Sequence, residues 1–273
     1  MTQNISYTSS GIPKIIHQTW KDSNIPDKWK KSQKEWNRLH PDWTYILWTD
    51  KDIRNHIGTY HPDFLELHDS YEYPIQRADM IRYFILYDYG GIYSDLDLYP
   101  TKNIELFITN YSDYFVFSAN TDCFTNSLMI STKKSKIMKE IIDNLKSSSS
   151  NLKWWSIGKH LKVMHTTGPL FLTDILLNTN HNFCVLPKSK FNPYSVDEDF
   201  TENKKNVVIH TLQGSSWHSW DSSLYNFVFK NRPIFITLGI IFILFIIIGL
   251  VYYIIKYRKC RESKDKCEQL CSL

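Results

Sequence analysis

Two carboxylates separated by a single residue, Asp95 and Asp97, close the apolar run IYSDLD. We predict a strand over residues 92–98, in which side chains at i and i+2 project from the same face. The two aspartates would then stand side by side while Leu96 points into the core. Adjacent carboxylates repel, and a hard divalent cation such as Mg²⁺ or Mn²⁺ holds them together and also bridges a diphosphate. The pair therefore predicts metal-assisted chemistry on a phosphorylated substrate, with a solvated acidic turn as the alternative.

A second charged pair, Asp79 and Arg82, lies in the segment just before. Residues three apart share a face of a helix, and the apolar neighbours of this pair predict that both charges are buried. One interpretation is an intrahelical salt bridge. The other is a ligand site, in which Asp79 accepts from a ribose hydroxyl and Arg82 donates to a phosphate.

The elements that position these residues alternate between strand and helix, which predicts an α/β fold with a mostly parallel sheet flanked by helices. Proline at 74 and the glycines at 90 and 91 delimit the helix that carries Asp79 and Arg82. We predict a loop at the serine run 147–150. The predicted strands are 14–20, 43–48, 92–98, 114–118, 128–130 and 207–210, and the predicted helices are 27–39, 74–89, 137–145 and 169–177.

The carboxyl-terminal part carries an uncharged apolar run, residues 234–255. At about 1.5 Å per residue it is long enough to cross a hydrocarbon core of roughly 30 Å. We therefore divide the chain into a polar amino terminus (1–11), one catalytic domain (12–233), a transmembrane helix (234–255) and a basic, cysteine-containing tail (256–273). The chain is predicted to be a single-pass membrane protein.

Two features of the sequence indicate opposite orientations of the chain in the membrane. The basic residues after the span favour a cytosolic tail, which would place the catalytic domain in a lumen. The polar amino terminus and short tail are typical of a tail-anchored protein, which would leave that domain in the cytosol. Both orientations stay open.

The net charge of +4 does not indicate a nucleic-acid partner. The tail after the span carries six Lys or Arg and three Asp or Glu, which leaves about +1 for the other residues. A phosphate-backbone binder needs a basic stripe, which this sequence lacks.

Two sequence blocks, IPKIIHQTW (12–20) and QRADMIRYFILYDYGGIYSDLD (76–97), resemble the DXD sugar-transferase region of glycosyltransferase family 32. This family includes the mannosyltransferases acting on inositol phosphoceramide and the fungal α-1,6-mannosyltransferases, and the layout is similar to that of the glucosylating clostridial toxins. The resemblance implies a GT-A fold with a Rossmann-like mixed sheet flanked by helices. It also implies a nucleotide-sugar donor, a divalent cation (Mn²⁺ or Mg²⁺) and retention of the anomeric configuration.

The resemblance also implies roles for individual residues of the first two blocks. Trp20 would stack on the donor base, Asp79 would bind ribose or sugar hydroxyls, and Arg82 would bind the sugar or a phosphate. Tyr93 would lie near the nucleotide. Asp95 would contact ribose and metal, and Asp97 would ligate the metal directly.

Later in the chain, HTLQGSSW (210–217) is similar to the closing motif of the family. His210 or Ser216 would reach the metal and Trp217 the diphosphate. Because His218 follows directly, the choice between the two histidines stays open. Gly168-Pro169, preceded by two threonines, resembles the acceptor side of the site.

The expected activity is transfer of a hexose, with mannose favoured, from a nucleotide sugar to a lipid or glycan acceptor at an endomembrane of the ER or Golgi type. The metal would neutralise the departing diphosphate, assisted by Arg82. GDP-mannose and several UDP-sugars all fit the motif. The competing hypotheses are a phosphatase of the Asp-x-Asp type and a non-catalytic membrane-anchored binding module.

Overall fold

The computed structural model describes residues 5–119, 122–152, 156, 158–194, 206–212 and 220–271. It divides into two compact units, Met1–His218 and Ser219–Leu273. The strands are β1 Ile15–Thr19, β2 Thr44–Trp48, β3 Gly91–Ser94, β4 Leu98–Pro100, β5 Asp113–Phe117, β6 Phe124–Ser131, β7 Cys184–Leu186 and β8 Ile209–Thr211. The helices are α1 Asp27–Leu39, α2 Asp50–Tyr60, α3 Leu65–Ser70, α4 Pro74–Tyr89, α5 Lys136–Ser150, α6 Lys159–Thr166, α7 Pro169–Asn178, α8 Lys188–Phe191, α9 Trp220–Lys230 and α10 Arg232–Cys271.

The main sheet of the first unit has six strands in the order β2-β1-β3-β6-β5-β7. β1 pairs in parallel with β2 and β3, and β5 pairs in parallel with β7. β6 runs antiparallel to both β3 and β5. The predicted α/β class is confirmed, with a mixed sheet. A separate two-stranded sheet pairs β4 with β8.

Helix α4 begins and ends where the sequence predicts. It starts at Pro74, and Gly90 caps it with φ +67°. A Cβ on Gly90 would lie 2.5 Å from the Lys133 nitrogen, and one on Gly91 would lie 2.4 Å from the Ile15 carbonyl oxygen. The two glycines therefore allow α4 to turn directly into β3 against β1. The helix is buried on every side over residues 79–86, so the charges of Asp79 and Arg82 are buried as predicted.

Two predicted elements are wrong. The strand expected over 92–98 stops at Ser94, and the chain then turns, since the Leu98 amide donates to the Asp95 carbonyl at 3.0 Å. Asp95 and Asp97 therefore lie in a turn and not on one face of a strand. The serines at 147–150, predicted as a loop, form the last turn of α5. The Ser148 hydroxyl donates to the Leu145 and Thr166 carbonyls at 2.9 and 2.8 Å, which stabilises that turn.

The second unit contains α9 and α10. Within α10, the segment Arg232–Arg258 includes an 18-residue window with a mean hydropathy of 3.2, and none of that window is buried in the protein. This segment is long and apolar enough to cross a membrane.

Candidate active site

The carboxyl ends of β1 and β3 lie at the same edge of the sheet because the two strands are parallel neighbours. Ligands of open α/β sheets bind at such edges. Thr19 is the last residue of β1 and Trp20 follows it, and Asp95 follows the last residue of β3. The fold therefore brings together the two blocks that carry the family resemblance.

Arg82 connects two carboxylates at the centre of this site. Its Nη2 lies 3.0 Å from Asp79 Oδ1 and 3.1 Å from Asp95 Oδ1. The side chains of Arg82 and Asp79 are 6% and 5% exposed, and that of Asp95 is 27% exposed. The Asp79–Arg82 pair is therefore an intrahelical salt bridge, and Arg82 also reaches Asp95 at the start of the turn that follows β3. The ligand roles of Asp79 and Arg82 stay predictions.

Tyr93 orients Asp95 from within the sheet. Its buried hydroxyl donates to Asp95 Oδ1 at 2.8 Å and lies 2.9 Å from the Thr19 hydroxyl. The Arg82 guanidinium lies over the Tyr93 ring, 4.9 Å from its centroid. Asp95 Oδ1 thus accepts from both a guanidinium and a phenol.

Two buried donors of the site have no hydrogen-bond partner among the described residues. They are Arg82 Nε and Asn126 Nδ2. Arg82 Nη1 donates to the Asn126 carbonyl at 3.0 Å, so Asn126 belongs to the same cluster. A buried donor without an acceptor costs free energy, and a polar ligand that accepts from it recovers that cost. Sequence reasoning did not identify Asn126, which lies in β6, 29 residues after Asp97.

Burial and charge shift the pKa values of the site in a consistent way. Desolvation raises the pKa of Asp79, opposed by the Arg82 guanidinium, and likewise raises the pKa of Asp95. Burial alone would lower the pKa of Arg82, but the carboxylates of Asp95 and Asp79 outweigh it, so this pKa is raised. Arg82 is therefore a permanent cation at the site.

Asp97 differs from its neighbours because it forms no ion pair within the described ranges. Its carbonyl is fixed by the Leu212 amide at 2.6 Å, which ties the turn to β8. Burial, followed by the Asp95 charge, raises the pKa of Asp97 to about 7. A half-buried carboxylate with an acidic neighbour and no paired cation fits a divalent metal, for which oxygen ligands suit Mg²⁺ or Mn²⁺. Asp95 and Asp97 would hold that ion.

Trp20 lies at the rim of the site and is partly exposed. Its Nε1 donates to the Asn24 carbonyl at 3.1 Å. Its ring packs edge-on against the Trp29 ring, with 4.8 Å between the two centroids. These contacts fix the ring beside the end of β1. Stacking on a donor base stays a prediction.

The structure places the later predicted residues only in part. His210, on β8, stacks on Tyr99 with 5.0 Å between centroids, and its Nε2 lies 3.0 Å from the Tyr194 hydroxyl. Its role as a metal ligand stays a prediction. Ser216, Trp217 and His218 lie outside the described residues.

The segment that resembles the acceptor side lies next to α4. The Thr167 hydroxyl donates to Asp79 Oδ2 at 3.4 Å, and the Tyr83 hydroxyl donates to the Thr167 carbonyl at 2.7 Å. Gln76 Nε2 donates to the Thr166 hydroxyl at 2.8 Å. The residues before Gly168-Pro169 therefore contact the Asp79 side of the site.

A separate polar cluster lies on the other side of α4. The Nε2 atoms of His56 and His61 lie 2.8 and 2.6 Å from Asp88 Oδ2, and Lys134 Nζ lies 2.6 Å from Asp88 Oδ1. Ligand atoms around a tetrahedral zinc ion stand roughly 3.3 Å apart, given zinc–ligand bonds of about 2.0–2.1 Å. The observed spacings are those of hydrogen bonds. This cluster ties α2 and the start of α5 to the end of α4.

Comparison with known proteins identifies the family to which this chain belongs. A family model described as "Glycosyltransferase sugar-binding region containing DXD motif" matches residues 26–115. Inositol phosphoceramide mannosyltransferase 3 of Schizosaccharomyces pombe is 36% identical over 254 residues, covering 92% of this chain and 67% of the relative. Mannosyl phosphorylinositol ceramide synthase CSH1 of Saccharomyces cerevisiae is 35% identical over 252 residues, covering 87% of this chain and 61% of that protein. Among solved structures, the PaToxG glycosyltransferase aligns with a TM-score of 0.45 at 20% identity, covering 60% of this chain and 69% of that one.

The chain belongs to the DXD-motif family of glycosyltransferases, as the sequence resemblance implied. The two relatives described above carry the names inositol phosphoceramide mannosyltransferase and mannosyl phosphorylinositol ceramide synthase. The chain spans about two thirds of the length of these relatives.

Proposed function

We propose that this chain is a membrane-anchored mannosyltransferase that moves a mannosyl group from a nucleotide sugar to the inositol phosphate headgroup of a sphingolipid. The observation that carries the proposal is the linked set Asp79–Arg82–Asp95, followed by the unpaired Asp97. The names of the relatives supply the sugar and the acceptor class.

The carboxylates of Asp95 and Asp97 are the proposed metal ligands. A bound Mn²⁺ or Mg²⁺ would supply charge neutralisation for the departing nucleoside diphosphate. Arg82 adds a fixed cation beside the same turn, and Asp79 accepts hydrogen bonds from donor hydroxyls. Asn126 Nδ2 and Arg82 Nε, both buried donors without a partner among the described residues, are available to oxygens of the donor.

Retention of the anomeric configuration is part of the proposal. Asp79 is already engaged by Arg82 and Thr167. A carboxylate held in this way is a poor nucleophile for a covalent glycosyl intermediate. We therefore favour attack by the acceptor hydroxyl on the face from which the diphosphate leaves.

The experiment is a transfer assay with the full chain in lipid nanodiscs that contain inositol phosphoceramide. GDP-mannose, UDP-glucose, UDP-galactose and UDP-N-acetylglucosamine are offered separately with Mn²⁺, Mg²⁺ or chelator. We expect one mannose added to the lipid, only with GDP-mannose and a divalent ion. The anomeric configuration of the product, read by NMR, tests retention.

The matched variants are Asp97→Asn and the exposed Asp63→Asn. Transfer should vanish in the first and persist in the second. Full transfer in chelator overturns the metal role, and transfer from a UDP-sugar alone overturns the donor. Release of phosphate from simple phosphate esters without sugar transfer would instead support the phosphatase hypothesis.

A further inference from the structure

Helix α9, Trp220–Lys230, carries an exposed apolar face. Trp220, Leu224, Phe227 and Val228 are 79%, 53%, 59% and 40% exposed. Their spacing of four, three and one places them within about 100° around a helix of 3.6 residues per turn. The buried Ser222 and the exposed Lys230 lie outside that arc. Large apolar side chains arranged in this way on a helix of a soluble protein normally pack against something.

The position of α9 in the chain, next to the apolar helix α10, indicates that this face contacts a membrane. Only Asn231 separates it from α10, whose uncharged apolar run starts at Ile234. The Phe227 and Phe235 rings contact each other across this junction, with 6.2 Å between centroids. The uncharged run 234–255 alone extends about 33 Å at 1.5 Å per residue, which is enough to cross a hydrocarbon core of roughly 30 Å. The 11 residues of α9 therefore do not belong to the span, yet they end shortly before it begins.

We propose that α9 is an interfacial helix that lies at the bilayer surface with Trp220, Leu224, Phe227 and Val228 inserted among the lipid acyl chains near the headgroups. The partner is the lipid surface of the membrane that α10 crosses, so the inference rests on the membrane anchor of the proposed function. Tryptophan is the aromatic residue best suited to this depth, and Lys230 and Arg232 would contact headgroup phosphates at the junction. Leaving the same face in water would expose four large apolar side chains next to a membrane that can bury them.

The test uses the full chain in phosphatidylcholine vesicles. An environment-sensitive fluorescent amino acid (Anap) is inserted by amber suppression at Leu224, at Lys230 or at Leu244, one position per sample. Positions 224 and 230 lie about 120° apart on α9, so they compare its two faces. Position 244 lies at the middle of the uncharged run 234–255 of α10 and reports on the span itself. Quenching is measured with aqueous iodide and with lipids brominated at shallow or deep acyl positions.

The expected result is that shallow bromines quench the probe at 224 more strongly than deep ones, while iodide leaves it unaffected. Iodide should quench the probe at 230, and deep bromines should quench the probe at 244. Iodide quenching at 224 equal to that at 230 would overturn the proposal, as would deep quenching equal to that at 244 or protection from every quencher. If the probe at 244 is itself quenched by iodide, the membrane anchor fails along with this inference, whereas the sugar-transfer assay is judged separately.

Discussion

Gln18 and Ser32, both completely buried, hydrogen-bond to each other and hold the two ends of the turn that contains Asp95 and Asp97. Gln18 Nε2 donates to the Ser32 hydroxyl at 2.9 Å and to the Asp95 carbonyl at 3.1 Å. The Ser32 hydroxyl donates to the Leu98 carbonyl. The Tyr45 hydroxyl completes the set by donating to Gln18 Oε1 at 2.7 Å. Strand β1 and helix α1 thus position the turn that carries the proposed metal ligands, through side chains that lie outside the proposed ligand set.

Ser32→Ala should loosen this turn without removing a proposed ligand. We expect a loss of about 1–2 kcal/mol of stability, the scale of a buried hydrogen bond, and a several-fold higher Mn²⁺ concentration for half-maximal activity. Metal titration of the transfer rate measures the second effect. Ser70→Ala, which removes an exposed serine bonded to the Leu67 carbonyl at 2.8 Å, is the control and should change neither quantity. An unchanged Mn²⁺ requirement in folded Ser32→Ala would show that the turn is fixed by its backbone alone.

Arg82→Lys tests whether the site needs a planar guanidinium or only a positive charge. Arg82 contacts Asp79, Asp95 and the Asn126 carbonyl at once, and a lysine ammonium cannot reach all three in the same geometry. We expect transfer to fall by about 10²-fold or more, the scale of losing one preorganised transition-state donor. The exposed pair Arg54–Asp69 provides the control, because Arg54→Lys alters a similar two-point contact at the surface. Equal activity of the two variants would remove Arg82 from the chemistry.

Local sequence signals predicted the parts of the fold that local physics determines. Helix α1 has the predicted bounds, and so does α4, because Pro74 and Gly90 act on the neighbouring backbone. The Asp79–Arg82 contact follows from helical spacing alone.

The features that the sequence did not predict depend on contacts between residues far apart in sequence. The turn at Asp95 ends strand β3 because Leu98 starts β4, which pairs with Thr211. No sequence pattern near residue 95 predicts that β4 pairs with β8, a strand more than 100 residues later. Asn126 reaches the site only because β6 runs antiparallel beside β3, a pairing that alternating hydrophobicity does not specify.

Asp97→Asn should stabilise the metal-free protein while it abolishes metal-dependent transfer. The pKa of Asp97 is raised to about 7, mainly by burial, so between its unfolded pKa near 4 and pH 7 the folded state binds more protons than the unfolded state. Stability from this group therefore falls as pH rises through that window, and it is lowest above pH 7. At pH 8 in chelator we expect the melting temperature of the variant to be higher by about 2–4 °C, corresponding to roughly 1 kcal/mol.

Mn²⁺ should raise the melting temperature of the unsubstituted chain and leave that of Asp97→Asn unchanged. A Mn²⁺-induced rise of equal size in both proteins would place the metal elsewhere.

His17→Gln should flatten the acid side of the stability profile. His17 is completely buried, its Nε2 donates to the Gly90 carbonyl at 2.9 Å, and its Nδ1 accepts from Trp48 Nε1 at 3.1 Å. With one ring nitrogen donating and the other accepting, the imidazole is neutral, and burial lowers its pKa to about 4. Between about pH 6.5 and pH 4 the unfolded chain therefore binds a proton that the folded chain does not, and stability falls as the pH falls through this window. The contribution to the free energy of unfolding is on the order of 2–3 kcal/mol at its full extent.

Melting temperatures of the detergent-solubilised full chain at pH 7 and pH 4.5 measure this dependence of stability on pH. The control is His181→Gln, an exposed histidine whose variant is expected to match the unsubstituted chain. If His17→Gln loses as much stability between these two pH values as the unsubstituted chain does, the acid sensitivity arises from other groups.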